Sequence, residues 1–189
     1  MSPIKTAIAG FGIAGRCMHA PFLKTLPQQY EVIAVLERNR SESVAMFPNA
    51  TIVRNEDEML RLPGLELVVI TTPNDSHYSY AKAALLAGKH VVIDKPFTIT
   101  SADALDLIET ARQVNKVISV YQNRRYVTDF CTIEEILHKK LLGDVHTYEA
   151  NYPRYRPEER PDAWREKAAP GTGILYDLGA HIIDQALYL

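Results

Sequence analysis

Three polar residues in the last part of the sequence have types and spacings suited to proton transfer. Asp177, His181 and Asp184 are separated by four and three positions, which places them on one face of a predicted helix. Histidine titrates near neutral pH, and a carboxylate one turn away can share proton-transfer work with it. The same residues could instead bind a metal ion or form a satisfied polar seam at a domain interface. The spacing alone does not separate these interpretations.

Lys95 is a second residue whose type and position are suited to catalysis or substrate binding. Lys95 is part of the tripeptide Asp94-Lys95-Pro96, which directly follows a predicted buried strand over 91–93. A partly desolvated lysine at the end of a strand can donate a proton or hold a substrate oxygen electrostatically. A solvated surface charge is the alternative.

A glycine-rich segment near the start of the sequence predicts a phosphate-binding loop. It follows a predicted strand over 4–9 and precedes a predicted helix, which is the context that a GxGxxG pattern requires. Gly10 allows the tight turn, Gly12 allows the backbone to approach a pyrophosphate, and Gly15 allows close packing of helix and strand. A glycine-rich turn that binds nothing is the alternative. The predicted cofactor-binding residues of this loop are Gly10, Phe11, Gly12, Ile13, Ala14 and Gly15.

The residues after the second predicted strand bear on the choice between NAD and NADP. Glu37 lies at the end of that strand, where a carboxylate can accept hydrogen bonds from the adenosine ribose hydroxyls. This favours NAD. Arg38 is next to it, and a guanidinium there could pair with a 2′-phosphate and admit NADP. A surface pair without a ligand is the remaining interpretation.

A third loop also follows a predicted strand. Thr71, Thr72, Pro73 and Asn74 come directly after the strand predicted over 67–70. Ligands of open α/β sheets bind beyond the carboxyl ends of the strands, so we expect this loop to face the cofactor. His77 begins the next helix, where it either caps the helix or contacts the cofactor.

Apolar segments with strand-like and helix-like spacing alternate over the first 120 residues. Val- and Ile-rich runs predict buried parallel strands over 4–9, 32–36, 51–53, 67–70, 91–93 and 117–120. Helical spacing occurs over 14–26, 41–47, 56–60, 77–87 and 101–115. This alternation predicts an α/β fold with a doubly wound parallel sheet, and therefore a Rossmann NAD(P)-binding domain over residues 1–120.

The pattern changes after residue 120. A helix is predicted over 128–140, one strand over 145–152, and an amphipathic helix from 174 onward that has no stop signal before Leu189. Residues 121–189 are therefore predicted to be the incomplete beginning of a second, α+β domain. An apolar stripe of Ile182, Ile183, Ala186 and Leu187 has no obvious cover within this sequence.

Composition excludes several classes of protein. The net charge of -2 offers no basic field for nucleic acid, and 47% hydrophobic residues are ordinary for a globular chain. No apolar run approaches the ~20 residues of a membrane span. The two cysteines form no CxxC pair, and a start without signal-like features leads into a strand, so we expect a cytoplasmic protein.

Four segments in order resemble the Gfo/Idh/MocA family of oxidoreductases, which includes glucose-fructose oxidoreductase and inositol dehydrogenase. They are GFGIAG, TTPNDSH, DKPF and GTGILYDLGAHIIDQ, and they extend from residue 10 to residue 185. They are similar to the family's cofactor loop, its loop after strand four, its EKP motif and its GGxxxDxGxH motif. Asp94 replaces the usual glutamate of EKP, and Thr172 interrupts the usual glycine doublet.

The resemblance implies roles for individual residues. Lys95 matches the lysine of the EKP motif, and Asp177 and His181 match the substrate-binding and acid/base pair. Asn123 and Arg124 resemble a segment that borders the nicotinamide and the substrate. Trp164 and Arg165 resemble a stretch that packs near the cofactor in some members.

The resemblance also implies an activity. Family members transfer hydride between NAD(P) and a sugar, inositol or related polyol, and their second domain usually forms a homo-oligomer interface. The alternatives are an NAD(P)-binding regulator without turnover and an enzyme that uses the cofactor transiently to cleave a glycoside. Because family members are substantially longer, we expect this chain to be incomplete.

Overall fold

The structure is a computed structural model that describes residues 2–153, 155, 157–158 and 166–189. The chain divides into two compact units, residues 1–121 and 122–189.

One parallel sheet forms the centre of the first unit. Its six strands are β1 (Ile4–Ala9), β2 (Tyr30–Leu36), β3 (Thr51–Val53), β4 (Leu67–Ile70), β5 (His90–Ile93) and β6 (Ile118–Val120). They lie in the order β3-β2-β1-β4-β5-β6, and every neighbouring pair is parallel. This is the strand order of a Rossmann sheet, so the predicted fold class is confirmed.

Helices connect the strands of the first unit. The longer ones are α1 (Ala20–Thr25), α2 (Glu56–Leu60), α3 (His77–Leu86) and α4 (Ser101–Gln113). A π-helical turn over Ala14–His19 leads directly into α1, and 3-10 turns cover Glu42–Ala45 and Asn74–Ser76.

The helix predicted over 41–47 is wrong, because only the short 3-10 turn Glu42–Ala45 forms there. Two features explain its length. Pro48 disfavours the helical conformation at Phe47, which precedes it in the sequence. At the other end, the Glu37 side chain accepts hydrogen bonds from the N–H groups of Glu42 and Ser43.

Side chains from both faces of the sheet are buried. Neighbouring residues of β1 point to opposite faces: Ala7 packs in a cluster with Leu85 of α3 and Leu107 of α4. Ile8 packs on the other side with Ala20 and other apolar residues. All four residues of β4 are buried, as expected for a central strand covered by helices on both sides.

The second unit contains helices only in its described part. These are a 3-10 turn (Asn123–Tyr126), α5 (Thr128–His138), a π-helical turn (Leu175–Gly179) and α6 (Ala180–Tyr188). The strand predicted over 145–152 is wrong: these residues form no ladder. A strand needs a partner for its backbone N–H and C=O groups, and the described residues of this unit contain no other strand.

The part of the chain that the structure describes contains no helix with the length and hydropathy of a membrane span.

Candidate active site

The glycine loop lies where the strand order of the sheet reverses. β1 and β4 are neighbours there, and the loops after them meet beyond their carboxyl ends. The Thr71 hydroxyl donates a hydrogen bond to the carbonyl oxygen of Gly10 at 2.8 Å. Open α/β sheets bind dinucleotides in the crevice at such a reversal.

Two glycines of this loop are required by close packing. Gly10 has a φ of +95°, a region that side-chain-bearing residues rarely adopt. A Cβ atom on Gly15 would lie 2.6 Å from the Gly10 carbonyl oxygen and 2.7 Å from the Thr71 hydroxyl. A larger residue at Gly15 would therefore separate the first turn of the helix from the strand ends. At Gly10 a side chain would strain the backbone and place its Cβ atom 3.2 Å from the Thr71 carbonyl group.

Gly12 differs, because a Cβ atom there would meet nothing within 4 Å. Packing within the protein therefore does not explain this glycine, whereas close approach of a ligand's pyrophosphate to the backbone does. Phe11 beside it turns its side chain into the core, and Ile13 is 77% exposed. Ala14 begins the π-helical turn. The shape of the loop thus fits a dinucleotide.

The side chain of Glu37 is directed inward from the end of β2. Its Oε1 accepts hydrogen bonds from the Ser43 N–H at 2.9 Å and from the Ser43 hydroxyl, and its Oε2 accepts one from the Glu42 N–H at 2.9 Å. Glu37 is only 6% exposed. Its carboxylate therefore stabilises the 3-10 turn Glu42–Ala45 by hydrogen bonds. The spacing of residues in the sequence did not predict this interaction. Arg38 is exposed.

The loop after β4 contains a buried hydroxyl that has no hydrogen-bond partner among the described residues. Thr72 Oγ1 is inaccessible to solvent and makes no hydrogen bond with the described residues. Pro73 is exposed, and Asn74 begins the 3-10 turn that leads into α3. Buried polar groups are nearly always hydrogen-bonded, and Thr72 Oγ1 is one of five buried side-chain atoms among the described residues that are exceptions.

His77 links this loop to the loop after β5. Its Nδ1 lies 2.8 Å from the carbonyl oxygen of Pro96, and its Nε2 lies 2.9 Å from that of Thr72. A neutral imidazole can donate to one of these oxygens, and a protonated ring can donate to both. The ring is buried and does not cap α3. Both of its nitrogens lie within hydrogen-bonding distance of backbone carbonyls, so the capping role considered from the sequence is wrong, while contact with the cofactor stays a prediction.

Asp94 and Lys95 follow β5 at the same edge of the sheet. Asp94 Oδ1 accepts a hydrogen bond from the Lys95 N–H at 2.9 Å and lies 3.6 Å from Nε2 of buried His19. The His19 ring packs against Tyr121, with ring centroids 4.1 Å apart. Burial, and then the Asp94 carboxylate, raise the pKa of the Tyr121 hydroxyl. The Asp94 side chain thus contributes to the conformation of the Lys95 loop.

Asp177 and His181 are both buried in the second unit, at 4% and 7% exposure. Asp177 lies in the π-helical turn and His181 in the first turn of α6. Asp184 has a different role, because the Arg125 guanidinium donates to both of its carboxylate oxygens, at 2.5 and 2.7 Å. The described residues contain no group of three or more metal-ligating side chains.

The remaining predicted residues lie at the start of the second unit or outside the described residues. Asn123 and Arg124 form part of the 3-10 turn there, and the Arg124 carbonyl accepts a hydrogen bond from Gln185 at 2.9 Å. Trp164 and Arg165 lie outside the described residues.

Several charged residues near the site were missed in the sequence. Arg16 directly follows Gly15, and its Nη1 lies 2.8 Å from a carboxylate oxygen of Glu42. Arg40 Nη1 lies 2.9 Å from the other oxygen of the same carboxylate. These residues could have been identified from their positions in the sequence, because Arg16 directly follows the glycine loop and Arg40 is two positions after Arg38.

Family models match most of the chain. Residues 4–122 match the model described as an oxidoreductase family with an NAD-binding Rossmann fold. Residues 130–189 match the model of the GFO/IDH/MocA C-terminal domain.

The chain is similar to curated proteins named as oxidoreductases and to proteins of known structure. The uncharacterized oxidoreductase YdgJ of Escherichia coli (strain K12) is 41% identical, covering 98% of this chain and 53% of the relative. The scyllo-inositol 2-dehydrogenase (NADP(+)) IolW of Bacillus subtilis (strain 168) is also 41% identical, covering 98% of this chain and 51% of the relative. The solved structure of yvaA from Bacillus subtilis is 40% identical with a TM-score of 0.93, covering 99% of this chain and 53% of that chain.

These matches extend over nearly the whole sequence. The chain spans about half the length of the curated relatives it matches. Its two matched segments follow each other in the order of the family's two domains. The chain therefore belongs to the Gfo/Idh/MocA family of oxidoreductases.

Proposed function

We propose that this chain binds a nicotinamide dinucleotide with its first unit and takes part in hydride transfer at a CH–OH or carbonyl carbon of a sugar, inositol or related polyol. The glycine loop carries the proposal. Backbone conformation requires glycine at Gly10 and close packing requires it at Gly15, whereas packing within the protein gives no reason for the glycine at Gly12.

The substrate class rests on relatives and on the residues available. The printed name of the relative IolW specifies an inositol and NADP(+). Polyols present hydroxyl groups that lysine, aspartate and histidine side chains recognise by hydrogen bonds. The sequence retains one of each at the motif positions, as Lys95, Asp177 and His181. A regulator without turnover would have no need for all three.

In this proposal the bound nicotinamide supplies or accepts the hydride. Lys95 holds the substrate oxygen with its positive charge and stabilises negative charge that develops on it. Asp177 accepts a hydrogen bond from a substrate hydroxyl and so orients it. His181 removes the proton of the reacting hydroxyl in oxidation and returns it in reduction.

The cellular setting and assembly follow from the same proposal. Both cysteines, Cys17 and Cys131, are exposed and free, in agreement with a reduced cytoplasmic location. The substrate is a small molecule, and a chain extended to the length of its relatives forms a homo-oligomer through its second domain, as the family resemblance implies. Light scattering of such an extended chain tests this last statement.

Calorimetry with NADH and NADPH tests whether the chain binds a nicotinamide dinucleotide. The reaction is tested by incubation with inositols and sugars, during which the absorbance of the reduced nicotinamide is followed. We expect binding by the folded chain and net, substrate-dependent formation of reduced cofactor by a chain extended to the length of its relatives. Absence of binding by a folded sample contradicts the cofactor assignment. Product formation without net change in the cofactor indicates transient use instead, as in glycoside cleavage.

A further inference from the structure

We infer that the loop after β2 recognises a phosphate group on the adenosine ribose, so that the chain prefers NADP(H) to NAD(H). This inference rests on the proposed dinucleotide binding and specifies which dinucleotide is bound. It reverses the preference for NAD that the position of Glu37 in the sequence suggested.

The first observation is that the Glu37 carboxylate is already engaged. Selection of NAD at this position relies on an acidic side chain that accepts hydrogen bonds from the ribose hydroxyls. Here both carboxylate oxygens accept hydrogen bonds from the turn at Glu42 and Ser43, and the residue is 6% exposed. Turning this carboxylate towards a ribose would leave the N–H groups of Glu42 and Ser43 without their acceptor, which is unfavourable for donors that are wholly or partly buried.

The second observation is that guanidinium groups occupy the accessible side of the same loop. Arg38 follows Glu37, is exposed, and makes no hydrogen bond or ion pair with the described residues. Arg40 is 77% exposed at its side chain and lies 2.9 Å from Glu42. Arginine is suited to phosphate because its planar donors match two phosphate oxygens at once.

The third observation connects this loop to the cofactor loop. Arg16, which follows Gly15, lies 2.8 Å from the Glu42 carboxylate, so the Glu42 charge is shared between Arg16 and Arg40. The loop after β2 therefore lies beside the start of the helix that faces the pyrophosphate. The side chains near this loop include the arginines Arg16, Arg38 and Arg40 and the carboxylates of Glu37 and Glu42. The arginines outnumber the carboxylates, and the excess positive charge favours a phosphate monoester over a neutral hydroxyl.

Hydrogen bonds from Arg54 restrain the backbone of the loop after β2. Arg54 Nη1 donates to the carbonyl oxygens of Glu37 and Arg40, at 2.7 and 2.5 Å, and its Nη2 lies 3.2 Å from the Ser41 hydroxyl. These bonds fix the backbone on both sides of Arg38 without using its side chain. Because the loop backbone is already fixed, less conformational entropy is lost when a phosphate binds to it.

The test is calorimetry of the 189-residue chain with NADPH, NADH, 2′,5′-ADP and 5′-AMP. We expect NADPH to bind roughly tenfold or more tightly than NADH, and 2′,5′-ADP more tightly than 5′-AMP. The two nucleotide fragments isolate the ribose phosphate from the nicotinamide. The advantage of NADPH should shrink as the salt concentration rises, because exposed charges are screened.

Variants locate the effect. Arg38→Ala and Arg40→Ala should each weaken NADPH and 2′,5′-ADP by roughly tenfold while leaving NADH within about twofold. Both side chains are exposed, so we expect the variants to fold, which circular dichroism checks. Arg61→Ala is the matched control, because Arg61 is an exposed arginine with only a 3.9 Å contact to Asp57. It should change neither affinity.

Tighter binding of NADH than NADPH overturns the inference and leaves the proposed function intact. So does an equal loss of NADH and NADPH affinity in the Arg38 and Arg40 variants, which would assign these residues a general role. Failure of the folded chain to bind either dinucleotide overturns the proposed function together with the inference.

Discussion

Gly12 and Gly15 lie three positions apart in one loop, and the structure gives them different reasons to be glycine. A Cβ atom at Gly15 would overlap the Gly10 carbonyl oxygen, whereas one at Gly12 would meet only open space. We therefore predict that Gly15→Ala lowers the free energy of unfolding by about 1–3 kcal/mol, the usual cost of overpacking. Gly12→Ala should leave that free energy nearly unchanged and should weaken dinucleotide binding roughly tenfold or more.

Urea unfolding and calorimetry distinguish the two effects. Each variant serves as the control for the other, since the chemical change is identical. A Gly12→Ala protein that binds NADPH as tightly as the wild type would show that Gly12 is not the point of closest approach to the pyrophosphate.

Lys95 and His181 are the residues whose loss should affect turnover most. In a chain extended to the length of its relatives, we predict that Lys95→Ala and His181→Ala each reduce turnover by ~10²-fold or more, the usual scale for a positioned acid or base. Neither residue belongs to the glycine loop, so the affinity for the dinucleotide should change little. Near-normal turnover by either variant on its proper substrate would remove that residue from the proposed mechanism.

At the level of single residues, the sequence predicted positions better than partners. Glu37 and His77 follow directly from the strand and helix pattern, and both lie where that pattern places them. Their hydrogen bonds were not predictable in the same way. Glu37 caps a 3-10 turn five residues ahead, and the His77 ring contacts the carbonyl of Pro96, nineteen residues away. Such contacts depend on side-chain orientation and on loops that periodicity does not describe.

Among the elements, α3 and α4 are joined by a polar cluster beside their apolar contact. Lys82 Nζ lies 2.7 Å from Oδ2 of Asp106, and the Tyr78 hydroxyl donates to the same oxygen at 2.9 Å. The hydrogen bonds from Lys82 and then Tyr78 lower the pKa of the Asp106 carboxyl. A lowered pKa in the folded state means that folding favours the ionised form.

The lowered pKa of Asp106 determines how this carboxylate affects stability as the pH changes. The contribution of Asp106 is present above the pKa of the unfolded chain, about 4, and is lost as the pH falls through the lower folded pKa. We predict that Asp106→Asn lowers stability at neutral pH and that the difference from the wild type shrinks below about pH 4. Urea unfolding at stepped pH measures it.

Asp57→Asn is the control for this experiment, because the exposed Asp57 carboxylate lies in the first turn of α2 and makes a 3.9 Å contact with Arg61, without the hydrogen bonds from lysine and tyrosine that Asp106 accepts. Its effect on stability should be smaller than that of Asp106→Asn at neutral pH. A difference for Asp106→Asn that stays constant from neutral to acidic pH would contradict the assigned role of the carboxylate charge.

The elements themselves show where sequence patterns succeed. Strands such as β4 are short, apolar and covered on both faces, so composition alone identifies them. Residues 145–152 also have strand-like composition, yet they form no strand. The ladder depends on a partner strand, which local sequence does not encode. The helix predicted over 41–47 was limited to a 3-10 turn by Pro48 and by the distant capping carboxylate of Glu37.

At the scale of the whole molecule, the two units differ in how well they cover their apolar side chains. The first unit encloses its sheet between helices, and all of β4 and residues 6–9 of β1 are buried. In the second unit, Ile183 is 52% exposed and Leu187 is 84% exposed, both on α6. The described residues of that unit provide no sheet against which these side chains could pack.

The last prediction concerns the activity of the 189 residues alone. An amphipathic helix gains most of its stability from burying its apolar face. With Ile183 and Leu187 exposed, we predict that α6 opens readily and that Asp177 and His181 are held less firmly than catalysis requires, since an error of ~1 Å can cost roughly a hundredfold in rate. The chain should therefore bind a dinucleotide but show little or no dehydrogenase turnover.

Hydrogen exchange and turnover together test this prediction. We expect slow exchange in β1 and β4 and fast exchange over residues 145–153 and 166–189, because backbone amides exchange at the rate at which local structure opens. A chain extended to the length of its relatives is the control, and it should protect α6 and turn over its substrate. If the 189-residue chain, as a monomer, protected these segments fully and matched the longer chain in turnover, the exposed face of α6 would have no bearing on the position of Asp177 and His181.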